Sequence, residues 1–439
     1  MNKTAMFPEA PVVFPEHSVE VSSNAYLFQE ARAKLSVEVA ESLPAVEALR
    51  PIWSKWSHNL DTDLDYYVHN LKSDSTILRP YVITVCQEGI PQAMLVGQFR
   101  KCRVSTVVSF VNIRGPEARV LEVDSGGRMG KESNAIDRLL AMQLLRAAKC
   151  AGVDLIWFRR LPLRSTLFRE LQQSRSLLIQ GRVPHIFRYS VLPLTAPAGK
   201  RAPVFSGKNL RETRRKTRIL QRAFPDGVKF KRFCHPGDLD LGIRDAVTVS
   251  VSSWQHCLGR DSFGDAQTHE NLEFCAGRGW LRVYVMYIND SPCAFLIGQI
   301  YKRTFYCQYT GYNQALARFS VGSLLTTWAL ENLAAAGVEE VDLGGGGQDH
   351  NRRLGCRVYE EGTVHLYSPT LRGLCVNLFF AVTQAVRAGG RSTRARLRLN
   401  WPARIWKDFL MKRWALPVPI PDSARPTVPR LKGRSPHRF

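Results

Sequence analysis

The chain has 439 residues, 45% of them hydrophobic, and a formal net charge of +23. This length and apolar content suffice for two domains, each with its own core. No apolar run approaches the roughly 20 residues that cross a bilayer, and no basic-then-apolar signal opens the chain, so we expect a cytoplasmic protein. The ten cysteines include no CxxC pair, so we expect no metal site.

The positive charge is concentrated in two segments. Residues 206–222 hold seven Lys or Arg and one Glu, and residues 370–439 hold fifteen Lys or Arg and two Asp. Such basic blocks favour an anionic partner, namely phospholipid, nucleic acid or a phosphate-bearing small molecule. An ordinary solvated surface is the alternative for either segment.

The first part of the chain predicts helices followed by a hairpin. Residues 1–25 are rich in proline and predict an irregular lead-in, and residues 26–76 predict helices. Strands are predicted at Tyr81–Cys86 and Ala93–Arg100, on either side of a turn at Gly89.

A strand, a loop, a helix and a second strand follow in the first half. Ser105–Val111 is β-branched and predicts a strand, and Asp124–Gly130 predicts a glycine-rich loop. Ser133 or Asn134 is expected to cap an amphipathic helix. The apolar run Asp154–Phe158 then predicts a buried strand.

The second half opens with a linker at residues 196–204 and a basic helix at Ser206–Ala223. Val228–Cys234 predicts a strand, and Asp238–Ser253 predicts a helix. A three-strand meander is predicted at Trp280–Ile288, Ala294–Ile300 and Thr304–Gly311.

The remaining elements are a helix, a strand, a run of glycines and a last helix. The helix begins at Ser320 and ends at Gly337. The strand Val338–Leu343 leads into Gly344–Gly347, and Leu371–Val386 predicts an apolar-rich helix before the Arg-rich end of the chain.

The chain repeats part of itself. Pro91–Gln98 (PQAMLVGQ) returns as Pro292–Gln299 (PCAFLIGQ), and Ala151–Asp154 (AGVD) returns as Ala336–Glu339 (AGVE). The order of strand, strand, helix, turn and strand is the same in both halves. This pattern predicts two copies of one α/β lobe and a function at the seam between them.

Two glycine-containing segments are candidate ligand sites. At residues 318–325 (RFSVGSLL) small residues stand at the start of a helix, where free N–H groups and the helix dipole favour phosphate. Gly322 would let a pyrophosphate come close. Gly344–Gly347 follows a strand, at the sheet edge where ligands bind in α/β folds. A cap before a core helix and a flexible loop are the respective alternatives.

The second half also carries an ordered series of motifs. They are the basic residues within 208–218, Ser253-Trp254, Gln308–Asn313, Phe319–Leu325, Gly337-Val338 and Val341–Gly346. This series resembles the GNAT superfamily of N-acyltransferases, in particular the double-lobed group of CelD-like acetyltransferases and Fem-type peptidyltransferases. The resemblance is closest over residues 200–367 and weaker over 26–195.

The resemblance implies an α/β fold of mixed sheets, with two tandem GNAT-like lobes and a basic C-terminal extension. It divides the chain into the lead-in, a first lobe at 26–195, a second, acyltransferase lobe at 196–369 and an extension at 370–439.

The resemblance further implies how an acyl-CoA co-substrate binds. Its phosphates would contact the helix start, and its pantetheine arm would follow the strand Tyr306–Thr310. The implied cofactor-binding residues are Gln308, Ser320, Val321, Gly322, Ser323 and Leu324. The implied acceptor-binding residues are Lys208, Arg215, Trp254, Gly344 and Arg352. The group often has a Tyr-Lys pair after its glycines, where this chain has His350-Asn351.

Acyl transfer needs a base for the attacking group and an acid for the departing thiolate. Candidate bases are Asp342, His350, Asp349 and His256, and candidate acids are Tyr309 and Tyr312. The alternatives are structural. Both tyrosines would then be core or rim aromatics, Asp342 would cap the glycine loop, and His350 would be a surface residue.

We therefore predict an acyltransferase that moves an acyl group, most simply acetyl, from acetyl-CoA to an amine or hydroxyl of a sugar or cell-envelope precursor, including lipid-linked glycans. One alternative is a peptidyltransferase that uses aminoacyl-tRNA, and another is a non-catalytic binding protein that kept the fold. The C-terminal block, with Trp401, Trp406 and Trp414 among cations, favours peripheral membrane contact or else a disordered tail.

Overall fold

The computed structural model describes residues 35–108, 111–173, 179–195, 202, 205–251, 266–345, 351 and 354–396. Within these residues the strands form one mixed sheet of twelve strands, with helices on its faces. No helix in this part of the chain has the length and apolar content that a bilayer crossing requires.

The first lobe comprises residues 35–193. Its strands are β1 (Leu35–Ala40), β2 (Ile77–Gln87), β3 (Ile90–Val108), β4 (Val111–Gly130), β5 (Leu155–Pro162) and β6 (Ile179–Pro193). Its helices are α1 (Leu43–Ala48), α2 (Arg50–Trp56), α3 (Leu64–Ser73), α4 (Asn134–Cys150) and α5 (Thr166–Gln173), with a 3-10 turn at Leu60–Thr62.

The second lobe comprises residues 207–367 and repeats this order. Its strands are β7 (Val228–Phe233), β8 (Leu281–Ile288), β9 (Ser291–Tyr301), β10 (Thr304–Tyr312), β11 (Glu340–Asp342) and β12 (Arg357–Tyr367). Its helices are α6 (Gly207–Ala223), α7 (Pro236–Val251), α8 (Ala266–Gly277) and α9 (Val321–Ala335), with a 3-10 helix at Gln314–Phe319. The last helix, α10 (Leu371–Arg396), follows this lobe.

The strand order shows that the two lobes exchange their last strands. The order is β1-β2-β3-β4-β5-β12-β6-β11-β10-β9-β8-β7. β6 of the first lobe pairs with β11 of the second, and β12 of the second pairs with β5 of the first. β6 and β12 also pair with each other along the middle of the sheet. The exchange explains why the sheet is continuous across the repeat.

Each lobe buries one amphipathic helix against its own strands. α4 packs Leu140 and Leu144 into a core with β2 to β5, and α9 packs Leu325 and Leu330 into a core with β8 to β10. Ser133 begins α4, because its Oγ accepts the N–H of Ile136 at 3.2 Å. The predicted helices, the meander and the repeat are confirmed at these positions.

Two sequence predictions in the first lobe are wrong. Residues 26–76 were predicted as helical, but Leu35–Ala40 forms β1, because its alternating LSVEVA pairs antiparallel with β2. The predicted loop Asp124–Gly130 belongs to β4, whose Met94↔Met129 and Leu95↔Arg128 pairs continue the hairpin with β3. Glycine is tolerated there because the strand is irregular, with a positive φ of 70° at Gly126.

Side chains also join the lobes near the sheet. The hydroxyl of Tyr301 in β9 lies 2.8 Å from Ser57 Oγ and donates to Asp63 Oδ2 at 3.1 Å. Arg278 Nη1 lies 2.7 Å from Asp65 Oδ2, and His69 Nε2 lies 3.0 Å from Asn271 Oδ1. These contacts fix α3 of the first lobe against α8 of the second.

Candidate active site

The second lobe contains a wedge between two parallel strands. β10 and β11 pair only over Thr304–Tyr306 with Glu340–Asp342, and β10 then shifts register against β9 between Cys307 and Tyr309. β11 ends in a turn in which Gly344, at φ 69°, donates its N–H to Asp342 Oδ1 at 2.8 Å. The two strands therefore stop pairing beyond Tyr306 and Asp342, at the open end of the wedge.

The start of α9 lies beside this wedge and has no side-chain cap. Ser320 adopts a left-handed conformation with a φ of 58°, so its hydroxyl does not turn back onto the helix. The first N–H groups of α9 can therefore bind an anion, aided by the helix dipole. A Cβ at Gly322 would lie 3.0 Å from the ring of Tyr312, so this position is tightly confined as well.

The equivalent helix start in the first lobe is closed. Ser133 caps α4, and Arg128 Nε donates to Asp137 Oδ1 at 2.7 Å in the first turn. Arg128 also donates to the carbonyl oxygen of Met129 at 2.6 Å. An anion placed here would meet the carboxylate of Asp137 and a guanidinium that already has its partners. Of these two helix starts, the one in the second lobe suits a phosphate.

An outer cavity of about 450 Å³ opens between the lobes. Tyr306 and Asp342 line it from the wedge, and residues of β4 and β5 line it from the first lobe. Arg160 of β5 reaches across this cavity, with Nε 2.6 Å from Glu361 Oε2 and Nη1 3.9 Å from Asp342 Oδ2. Its guanidinium also stacks 3.5 Å from the centre of the Tyr189 ring.

An inner cavity of about 150 Å³ adjoins the outer one, and the two share Asp124 and Ser125 as wall residues. Its other walls come from both lobes and are mostly polar. They include Asp61, Tyr66, Asn70, Asp74, Gln98, Arg100, Arg159, Gln267 and Asn271. The inner cavity is thus a polar recess behind the outer one.

A buried carboxylate organises the charges of the inner cavity. Glu122 is fully buried, accepts Arg100 Nη1 at 2.5 Å and is also bonded by Arg159. Burial alone would raise the pKa of Glu122, but the charges of Arg159 and Arg100 outweigh it and hold that pKa below its usual value. Arg100 additionally bonds Asp74, so these four side chains form one network.

Two other carboxyl groups of the inner cavity, those of Asp124 and Asp61, have raised pKa values, because the nearby positive charge does not outweigh the effect of burial. Burial raises the pKa of Asp124 to about 8, and the neighbouring Glu122 and Asp61 add to that rise against the opposing charge of Arg159. Burial likewise raises the pKa of Asp61, against Arg159 and Arg160. Asp61 lines the cavity and is exposed there. A carboxyl group that titrates near neutral pH in a cavity is a candidate acid or base.

The walls of the two cavities are acidic in an otherwise basic protein. They carry six carboxyl groups and four guanidinium groups, and Glu122 and Asp137 bond three of those guanidinium groups from behind. The carboxyl groups are those of Asp61, Asp74, Asp124, Glu132, Asp342 and Glu361. The guanidinium groups are those of Arg100, Arg128, Arg159 and Arg160. This local excess contrasts with the net charge of +23 for the whole chain.

A third cavity, of about 700 Å³, lies between α6 and α9. Lys208, Arg211, Arg215 and Lys216 line it from α6, and residues from Ser323 to Leu330 line it from α9. Arg215 and Lys216 have Glu212 as a nearby carboxylate, at 2.8 and 3.8 Å. The predicted basic helix therefore faces the side of α9 from Ser323 onwards.

The structure brings most of the predicted site residues to one region. Gln308, Tyr309 and Tyr312 lie on β10, residues Ser320–Leu324 form the start of α9, and Asp342 and Gly344 end β11. Lys208 and Arg215 face α9 from α6. Gln308 Oε1 accepts the side-chain amide of Gln299 at 2.8 Å, and Tyr309 is partly buried against a hydrophobic core of the second lobe. The roles assigned to these residues stay predictions.

Several predicted residues lie outside the described part of the chain. They are Trp254, His256, Asp349, His350 and Arg352. A surface group of Asp240, His269 and Glu273 brings one ligand atom from each residue within 4.8 Å of the others, but it lines none of the three cavities.

Sequence reasoning missed the acidic core of the site. Asp61, Asp124, Arg159 and Tyr306 converge on the two cavities from both lobes, but they are far apart in the sequence. The available signal was charge within apolar strands, in Leu121–Asp124 (LEVD) and Ile156–Arg160 (IWFRR). A charged residue inside a buried strand needs a partner or a ligand.

Residues 207–352 match the family model of the acetyltransferase (GNAT) domain. No curated protein sequence matches the chain. The structure is similar to that of FemX, with 11% identity, 78% of this chain and 100% of that chain covered, and a TM-score of 0.49. It is also similar to a tandem GNAT protein from the clavulanic acid biosynthesis pathway, with 11% identity, 76% and 98% covered, and a TM-score of 0.44. A third similar structure is the C-terminal domain of a putative lysylphosphatidylglycerol synthetase from Agrobacterium fabrum, with 14% identity, 77% and 95% covered, and a TM-score of 0.44.

Proposed function

We propose that this chain, whose residues 207–352 match the family model of the acetyltransferase (GNAT) domain, is an acyltransferase that moves an acetyl group from acetyl-CoA to an acceptor held between its two lobes. The acceptor is an amine or hydroxyl of a sugar, such as a precursor of a polysaccharide or of the cell envelope. One observation carries the proposal. The outer cavity is lined by Tyr306 and Asp342 at the mouth of the wedge and by first-lobe residues on its other side.

The donor site that we propose is in the second lobe. The uncapped start of α9 binds the pyrophosphate of coenzyme A, and the pantetheine arm follows β10 through the wedge towards Tyr306. The cations of α6 lie across the third cavity from α9, where they can bind further phosphate. The first lobe offers no second donor site of this kind, because Arg128 and Ser133 close the start of α4.

The acceptor enters from the first-lobe side of the outer cavity. Its nucleophile attacks the carbonyl carbon of the thioester, the carbon–sulfur bond breaks, and coenzyme A leaves as a thiol. Asp124 and Asp342 both line this cavity, so each can take the proton of the nucleophile. Tyr309 and Tyr312 on β10 stay candidates for protonating the departing sulfur.

Calorimetric titration with acetyl-CoA tests the proposal. We expect saturable binding to the wild type and loss of binding in Gly322→Glu, because the new carboxylate would meet the phosphates at the start of α9. The control is Gly237→Glu, which adds the same charge in α7, where a Cβ at Gly237 has no atom within 4 Å. Equal binding by both variants would contradict the donor site, and no binding by any protein would leave a non-catalytic role for the fold.

The basic helix α6 favours one second candidate, a peptidyltransferase that uses aminoacyl-tRNA. Four cations of α6 line a cavity beside α9, and a tRNA backbone would neutralise such a surface as well as coenzyme A would. This candidate predicts aminoacyl transfer only with charged tRNA, and an affinity for tRNA that falls steeply with salt.

A further inference from the structure

We propose that the inner cavity binds an amino polyol of a single six-membered ring, such as an amino sugar, with its ammonium group between Asp124 and the outer cavity. The inference rests on the proposed function and names its acceptor. It selects an amine over a hydroxyl as the group that is acetylated.

The size of the inner cavity suits one ring. Its volume is about 150 Å³, and an engineered protein cavity of about this size holds benzene, so the ring of an amino sugar fits while its substituents need the adjoining outer cavity as well. The recess is closed by α3 and α8, which His69 and Asn271 join at 3.0 Å. A longer acceptor would therefore extend from the ring into the outer cavity.

The polar groups of the inner cavity suit hydroxyl groups. Gln98 is 4% exposed, and its Oε1 has no hydrogen-bond partner, although its Nε2 donates to Glu122 at 3.3 Å. A buried acceptor atom without a partner costs free energy, and because Oε1 is itself inaccessible, a ligand hydroxyl reaches it only when the Gln98 amide turns towards the cavity. The side-chain amides of Asn70, Gln267 and Asn271 line the same space. Amides and carboxylates together can both donate to and accept from a ring of hydroxyls.

The charge of both cavities suits a cation. With Glu122 and Asp137 behind the walls included, and with Asp61 and Asp124 left out because their pKa values are raised, six carboxylates face four guanidinium groups. Asp61 and Asp124 form no ion pair with Arg100, Arg159 or Arg160 among those found within 4.0 Å in the described residues. An ammonium ion bound there would gain from this excess, whereas a phosphate would be repelled. Asp124 lines both cavities, so an ammonium group beside it faces the thioester.

The transfer step balances with these groups alone. The ammonium gives one proton to the ionised form of Asp124, and the resulting amine forms a bond to the thioester carbonyl carbon. The nitrogen then loses its second proton as the carbon–sulfur bond breaks, and the thiolate takes up one proton. The net reaction converts an ammonium and acetyl-CoA into an amide, coenzyme A and one released proton. The carboxyl environment that raises the pKa of Asp124 to about 8 makes it a stronger base than an ordinary aspartate.

Calorimetric titration of the protein saturated with coenzyme A tests the inference. Glucosamine, glucose and glucosamine 6-phosphate are the probes. We expect glucosamine to bind at least tenfold more tightly than the other two, and Asp124→Asn to weaken its binding at least tenfold. The control is Asp290→Asn, whose exposed carboxylate lies 2.7 Å from Lys229, and we expect it to bind glucosamine as the wild type does.

The outcomes separate this inference from the proposed function. If coenzyme A binds but glucosamine binds no better than glucose, the amino polyol is wrong and the donor site stands. If coenzyme A itself does not bind, the proposed function fails first. Binding of coenzyme A to Asp124→Asn, measured in the same way, shows that the variant is folded.

A separate observation, on α10, supports a second inference. One face of this helix is apolar and exposed over four turns. Its exposed fractions are 83% for Leu371, 40% for Leu374, 64% for Leu378, 52% for Val382 and 56% for Val386. The opposite face, with Val376 and Phe380, packs on the β3–β4 hairpin. We infer that the exposed face of α10 lies on the surface of an anionic lipid bilayer.

The positive charge of residues 370–439 indicates that the exposed face of α10 binds an anionic bilayer. Residues 370–439 hold fifteen Lys or Arg and two Asp, and no acid occurs between Thr370 and Trp406. Apolar side chains beside cations are typical of helices that bind membrane surfaces. A second copy of this chain would bring the same positive charge to the contact and would be repelled at low salt.

Co-sedimentation with lipid vesicles tests this surface. We expect the full chain to pellet with vesicles of phosphatidylcholine and phosphatidylglycerol but not with phosphatidylcholine alone, and added salt to release it. Leu374→Glu with Leu378→Glu should reduce the bound fraction at least tenfold. The matched control is Leu78→Glu with Leu241→Glu, at leucines that are 59% and 46% exposed elsewhere.

Two results would overturn the second inference. One is equal pelleting by the two double variants, which would mean that α10 does not touch the bilayer. The other is a concentration-dependent dimer that only the α10 variant disrupts, together with no pelleting of the wild type. That result would make a second copy the occupant.

Discussion

Asp124 lines both cavities, and its pKa is well above that of an ordinary aspartate. Burial raises its pKa to about 8, so it is mostly neutral at lower pH and becomes an effective base only as the pH rises. We expect kcat/KM for acetyl transfer to increase with pH up to about 8, and Asp124→Asn to lose about 100- to 10,000-fold in rate. The ammonium of the acceptor titrates identically in both proteins, so the difference between their pH profiles isolates Asp124. Superimposable profiles would show that another group is the base.

Substitution of Glu122 tests how much its buried ion pairs contribute to the free energy of unfolding. Glu122 is fully buried and pairs with Arg100, which is 12% exposed, and with Arg159, which is half exposed, so Glu122→Gln would remove a charge partner of the mostly buried Arg100. We expect a loss of about 3 to 5 kcal/mol in the free energy of unfolding, measured by urea denaturation. Glu117→Gln is the control, since Glu117 lies 3.2 Å from Lys101 with both side chains more than half exposed, and we expect less than about 1 kcal/mol there. Similar losses in both variants would contradict the role of Glu122.

Single residues were predictable from the sequence only where a local pattern marks them. Ser320 and Gly322 stand at the start of a helix with small residues before an apolar run, and this pattern predicts an anion site without any knowledge of the fold. Asp61 and Asp124 were missed because their significance comes from the meeting of a 3-10 turn with β4. The contact between these two elements cannot be inferred from the spacing of residues along the chain.

At the scale of elements, the antiparallel pairing of β9 with β10 positions one side of the wedge. A Cβ at Gly298 would collide with the carbonyl oxygen of Tyr306 and with the ring of Phe305. We expect Gly298→Ala to lower the unfolding temperature and weaken acetyl-CoA binding, because Tyr306 opens the wedge. Gly277→Ala at the end of α8 has no atom within 4 Å of the new Cβ and is expected to be neutral or slightly stabilising. Unchanged acetyl-CoA binding by Gly298→Ala would show that β10 does not position the donor.

The sequence predicted most elements, and its errors have identifiable causes. The meander, α4, α6 and α9 follow from apolar periodicity and turn residues. β1 was predicted as helix because six alternating residues give little signal beside a helical stretch. Residues Asp124–Gly130 were predicted as a loop because three glycines normally end a strand, whereas pairing with β3 keeps them in β4. Tertiary pairing overrode local propensity in both cases.

At the scale of the whole molecule, the repeat predicted two lobes but not the exchange of β6 and β12, because strand order depends on long-range pairing.

The exchange of β6 and β12 has a thermodynamic consequence. Each lobe needs a strand of the other to pair its central edge, so neither has a complete sheet alone. We expect one cooperative transition in calorimetric unfolding of the full chain, with calorimetric and van't Hoff enthalpies that agree. Two resolved transitions would contradict this coupling.

The central claim is that the second lobe supplies the acetyl donor and the space between the lobes supplies the acceptor. Release of free thiol from acetyl-CoA, followed continuously with and without glucosamine, tests both parts most directly. The account predicts that thiol release requires glucosamine, yields N-acetylglucosamine in equal amount by mass spectrometry, and fails in Gly322→Glu and Asp124→Asn. Thiol release that is independent of glucosamine and of both substitutions would contradict it, as would acyl transfer that occurs only from aminoacyl-tRNA.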